Sequence, residues 1–170
     1  MIEILFYMAG AIALIATVAA LTQTNAAHAL IYLIVSLLAV AVLFFLLGAP
    51  FAAALEILIY AGAIMVLFVF VIMMLNLGEA GRSREREWLA GRNWLLPGVM
   101  AALLLFELVL AVRHAPSLTS GLAVDPKAVG LSLFGPYLLA VEIASMLLMA
   151  GLVGAYHLGR RFIVRRTGRR

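Results

Sequence analysis

Three glutamates lie inside long apolar stretches: Glu56, Glu107 and Glu142. A charged side chain at the centre of a bilayer costs roughly 3 kcal/mol or more, so such an acid is paired, hydrated or protonated. No Lys or Arg shares those stretches, and the chain has no internal cation to neutralise them. Intramembrane acids usually face a bundle interior or a wet cavity, where they carry protons or ions. A carboxylate reaching the interface or bonding a neighbouring helix serves as well for Glu56 and Glu107. Glu142 stands nearer the middle of its stretch, where that explanation weakens.

Little other chemistry is on offer. The chain lacks a phosphate-cradling glycine loop, a GxSxG elbow and an HExxH pair, and has only 3 His. With 0 Cys there is no disulfide, no thiolate metal site and no cysteine-ligated iron–sulfur cluster. His28 and His157 could in principle clamp a haem, but a histidine at a helix end more often anchors at the interface or meets the helix dipole. The expectation is therefore no autonomous catalytic centre, no metal and no cofactor in this chain.

The elements that must position the acids follow from composition. Of 170 residues, 66% are hydrophobic and 12% charged, which no water-soluble surface tolerates. A helix needs about 20 apolar residues to cross a hydrocarbon core of about 30 Å. Five stretches qualify: Ile2–Leu21, Ala26–Leu47, Phe51–Asn76, Asn93–Val112 and Leu133–Leu158. No alternating strand pattern is present, so each span should be an α-helix with its backbone bonds closed internally. The fold class is an all-α integral membrane protein, with residues 1–160 as a single five-helix domain and 161–170 as a basic cytoplasmic tail. Met1-Ile2-Glu3 places an acid where a cleaved leader would be basic, so the first span should be retained.

Orientation is written in the arginines. Arg82, Arg84, Arg86 and Arg92 follow the third span, and Arg160, Arg161, Arg165, Arg166, Arg169 and Arg170 follow the fifth, so ten of the 12 basic residues lie in two segments. Five crossings put both on one side, leaving Arg113 and Lys127 opposite; the predicted topology is N-terminus outside, C-terminus cytoplasmic. Residues 113–132 then form an external loop rich in Pro, Ser and Gly. Residues 77–92 read as an interfacial, partly helical connection in which Glu79, Glu85 and Glu87 alternate with the arginines, with Trp88 and Trp94 as headgroup anchors. The arginines suit topology control and anionic lipid, and only Phe162 accompanies those of the tail, so no nucleic-acid binding is expected.

The third span is apolar all round except for Glu56, Tyr60 and Asn76, a pattern that belongs against lipid or other subunits. Ala61-Gly62-Ala63 permits close backbone approach and weakens the helix just before bulky Phe68, Val69 and Phe70. That makes it a site for a π-bulge or hinge. The fifth span offers small-residue seams at Ala140/Ala144, Ala150/Gly154 and Gly151/Ala155 for tight helix packing.

ALEILIYAGAIMVLFVFVIMMLNLG at 54–78, NAAHALIYLIVSLLAVAVLFFLLGA at 25–49 and LFGPYLLAVEIASMLLMAGLVGAYHLGR at 133–160 together resemble the subunit J family of bacterial proton-pumping NADH:quinone oxidoreductase, respiratory complex I. The spacing E-x-x-x-Y-A-G-A-I-x-V-L-F-x-F-V-I-M-M is far more specific than hydrophobicity. The resemblance implies a cofactor-free, five-span subunit in the bacterial inner membrane. Its neighbours would be subunits A, H and K and the antiporter-like subunits, with FMN, iron–sulfur clusters and quinone held by partners. It also implies a third helix whose π-bulge rotates to open or close a water path, with Glu56, Tyr60, Gly62, Met65, Val66 and Phe68 as gating positions. Glu142 joins them as a proton-path candidate on the physical argument above. Glu107 and the Arg-rich tail fall outside the family pattern. Two rival classes are an accessory subunit of a multisubunit cation/proton antiporter and a purely structural spacer.

Overall fold

The computed structural model describes residues 2–75, 94–113 and 123–167. They are all helical or connecting, with no strand among the described residues. Five helical spans are long and apolar enough to cross a membrane: Ile2–Thr22, Ala26–Leu46, Pro50–Met74, Leu95–Arg113 and Leu138–Gly159. The five-span expectation holds, with bounds shifted by a few residues except at the fifth. The chain divides into two compact units, Met1–Val124 and Asp125–Arg170.

In the first unit α1 (Ile2–Thr22) and α2 (Ala26–Leu46) are joined by three residues and pack along their length. Leu5, Ala9, Ile12 and Ala16 recur at intervals of four, three and four, which puts them on one face, and all four are buried. Alanines at two of those positions let the α2 backbone come close. Between the helices, Thr17 Oγ1 lies 2.8 Å from Ser36 Oγ, and Ser36 Oγ also donates to the Ala13 carbonyl at 3.2 Å. Asn25 caps α2 by accepting from the Ala27 N–H at 2.9 Å.

Helix α2 ends in a left-handed glycine, Gly48 (φ 80°), whose N–H donates to the Phe45 carbonyl while Ala49 N–H reaches back to Phe44. The Gly48 carbonyl in turn accepts from Val124 N–H at 2.9 Å. Pro50 then opens the third span at a position where its missing N–H costs nothing. That span comprises α3 (Pro50–Leu55), a π-helical segment (Glu56–Ile64) and α4 (Met65–Leu75). All three sections pack on α2. Helix α5 (Leu95–Arg113) packs on α1 and α2 through Pro97, Met100, Leu104, Glu107 and Ala111, again at alternating intervals of three and four. Helix α2 is therefore the post against which every other helical element of the unit rests.

Two expectations are corrected towards the C-terminus. An external loop is expected over 113–132; of that stretch 114–122 lie outside the described residues, but α5 runs through Arg113 and Pro126–Leu133 form a helix, α6, with Pro126 in its first turn. The fifth span was expected from Leu133 but begins at Leu138, as α7 (Leu138–Thr167). Gly135 and Pro136 explain the break: Pro136 has no N–H to continue the ladder, and a β-carbon at 135 would meet the Leu131 carbonyl oxygen at 2.8 Å. Tyr137 N–H restarts the chain by donating to Ser132 at 3.0 Å. Helix α7 continues past 160 to Thr167, so most of the basic tail is helical. The connection at 77–92, with Trp88 and the four arginines from 82 to 92, lies outside the described residues. Trp94 is described and exposed.

Candidate functional site

A run of nine residues, Glu56–Ile64, adopts π-helical bonding in the middle of the third span. Such segments are rare, appear mostly as single turns inside α-helices, and are frequent at functional sites. The change of register is visible at both ends. Glu56 N–H bonds the Ala52 and Ala53 carbonyls, and Met65 N–H is shared between Tyr60 and Gly62. Gly62 belongs here for a steric reason, since a β-carbon on it would lie 3.1 Å from the Ile57 carbonyl oxygen, tighter than ordinary contact. The Ala61-Gly62-Ala63 signal thus marked the right place, although the π segment starts five residues earlier, at Glu56.

The segment collects three of the predicted residues and α4 the next three. Glu56 and Gly62 are half-buried, and Tyr60 is exposed on this chain. Met65, where α-helical bonding resumes, is buried, whereas Val66 and Phe68 are exposed at 65% and 49%. These two side chains are therefore not part of the packed core of the first unit. Beside the π segment runs an apolar groove of about 510 Å³, walled by Leu38 and Phe45 of α2, Pro50 and Ile57 of the third span, and Leu104 and Leu108 of α5. Its walls offer no ligand for an ion or an ordered water.

Glu142 stands on α7 in the second unit and is exposed, its carbonyl accepting from Ser145 Oγ at 2.8 Å. Its position therefore belongs to a different unit from that of Glu56. His28 and His157 likewise fall in different units. Among the described residues, no group of three or more His, Asp or Glu is arranged to hold a metal ion.

Sequence reasoning undervalued Glu107. It is the one fully buried large side chain among the described residues, at 0% exposure. The buried residues of α5 recur at 97, 100, 104, 107 and 111, which places Glu107 on its packed seam, but the helix is apolar all round and its sequence does not single out that face. An acid at an apolar seam position is a sharper anomaly than an acid somewhere in a span.

An all-α, multi-pass membrane protein with a π segment at the centre of its third span is the class these features define. Residues 4–158 match the family model described as NADH-ubiquinone/plastoquinone oxidoreductase chain 6. The chain is 57% identical over 162 residues to NADH-quinone oxidoreductase subunit J of Pseudomonas aeruginosa, covering 94% of this chain and 97% of that one. It is 55% identical over 159 residues to the subunit J of Escherichia coli K12, covering 93% and 86%, and 45% identical over 159 residues to that of Buchnera aphidicola from Schizaphis graminum, covering 93% and 98%. The chain belongs to the NADH-quinone oxidoreductase subunit J family.

Proposed function

We propose that this chain is a membrane-arm subunit of an NADH:quinone oxidoreductase that helps couple quinone reduction to proton translocation, with the third span as the gate. The π segment at Glu56–Ile64 carries the reading. Returning one π register to α turns everything downstream by about 100°, the angle contributed by one helical residue. In one register Val66 and Phe68 lie across the path and exclude water. In the other they turn aside, and a chain of waters carries protons past Tyr60 and Glu56. Exposure of Val66 and Phe68 on this chain supports a path formed with partner helices rather than within the subunit.

The chain itself contributes no redox centre. Flavin and iron–sulfur clusters belong to partner subunits, and quinone binds nearby but mainly on others. Its neighbours in the bacterial inner membrane are subunits A, H and K and the antiporter-like subunits, and Glu142 is a further proton-path residue. Family membership favours this reading over an antiporter accessory subunit. Finding flavin and iron–sulfur signals, and NADH oxidation by quinone, in the native complex purified through this chain separates the two.

Substitution tests the gate. Gly62→Leu obstructs the close approach to Ile57, and Val66→Leu changes volume modestly at an exposed position. An assembled enzyme that still oxidises NADH with an artificial acceptor, but pumps fewer protons per electron, is the expected result. Wild-type pumping in both variants, or failure only through lost assembly, removes the support for gating.

A further inference from the structure

The core shared by α1, α2 and α5 contains a carboxyl group for which the gate has no use. Glu107 is fully buried, and neither Oε1 nor Oε2 has a hydrogen-bond partner among the described residues. It follows Leu104 and precedes Ala111 on the packed seam of α5 and lies beside the backbone of Ala9. Ala9, Ala39 and Ala111, one from each of the three helices, are themselves closed to solvent at 0%, 0% and 1%. Glu107 thus lies on the seam by which α5 packs into an otherwise apolar core of α1 and α2.

Among the described residues, no titratable or charged group on the packed elements hydrogen-bonds the Glu107 carboxyl. Glu3 and Tyr7 on α1 are exposed, as is Arg113 at the end of α5 itself. On α2, His28 is half-buried and Tyr32 buried, and neither bonds the carboxyl oxygens. Among the described residues of the third span, which packs on the same α2, Glu56 is half-buried and Tyr60 exposed. An ionised carboxylate with no cation beside it, and with nothing closer to a donor than the backbone contact at Ala9, is costly in a membrane core. A neutral carboxyl of the same shape is tolerated far better.

We propose that Glu107 is a proton-binding site of this chain: it holds a proton while α5 is packed on α1 and α2, and exchanges it only when that core opens to water. The step is a simple transfer, in which the carboxylate accepts a proton from hydronium as the core closes, leaving water outside, and returns it on opening. The binding site stands on the three-helix core alone and is independent of whether the π segment gates.

The test uses the complete enzyme purified from native membranes, with Glu107→Gln as an uncharged replacement of the same shape. The variant is expected to assemble to within about twofold of wild type. The infrared difference spectrum, wild type minus variant, is expected to show one protonated-carboxyl C=O band that shifts only slowly in D2O. Carboxylate bands in its place overturn the proposal. Where Glu107→Gln does not assemble, Glu107→Leu decides: recovery of the complex shows that no charge is needed at this position, and loss of both variants overturns the proposal.

Discussion

A β-carbon placed on Gly62 would lie 3.1 Å from the carbonyl oxygen of Ile57, five residues back along the same helix. The contact arises because the π segment runs through both residues. Substituting Ala should therefore oppose the π register by about 1 kcal/mol, of the size of other small overpacking effects. A shift of that size changes the ratio of two registers roughly fivefold. Gly62→Ala should lower protons pumped per electron in inverted vesicles while NADH oxidation with an artificial acceptor persists. Gly98→Ala, where nothing lies within 4 Å of the added carbon, should leave both unchanged.

Gly48 makes a separate prediction about the turn that launches the third span. Its φ of 80° is strained for any L-residue with a β-carbon, at about 1–2 kcal/mol. Gly48→Ala should reduce the amount of assembled complex, and Gly48→Asn should reduce it less, since Asn enters the left-handed region more readily. Equal yields from all three proteins would show that the turn adapts without cost.

Single cysteines report topology cleanly because the chain contains none of its own. Cysteines at Ser83 and Thr167, beside the two arginine clusters, should both react with an impermeant thiol reagent in inverted vesicles. A cysteine at Ser120 should react only in right-side-out preparations. Opposite sidedness for Ser83 and Thr167 would refute five crossings with the C-terminus cytoplasmic.

Glu56 and Glu142 should each meet protein or water in the assembled enzyme. Glu56 is already half-buried in this chain, whereas Glu142 is exposed and needs its surroundings from other chains or from water. A structure of the complete complex checks both. Either carboxylate projecting among acyl chains would defeat the expectation.

Five apolar spans, the absence of strands among the described residues and the weak point at Ala61-Gly62-Ala63 were legible from composition and local residue types alone, because lipid demands closed backbone hydrogen bonding and glycine sets local stiffness. The break before Leu138 was legible in principle from Gly135-Pro136, but the apolar run across it masked the signal. Two matters were decided only by tertiary packing. One is the extent of the π segment, which runs over nine residues from Glu56 to Ile64 and which no residue type in the span marks at its start. The other is the standing of the acids. Glu107 and Glu142 look alike in sequence, each a lone carboxyl in an apolar helix, yet the first is closed at 0% exposure and the second is exposed. Helical periodicity identifies which residues share a face; whether another helix covers that face is settled only when the chain is folded.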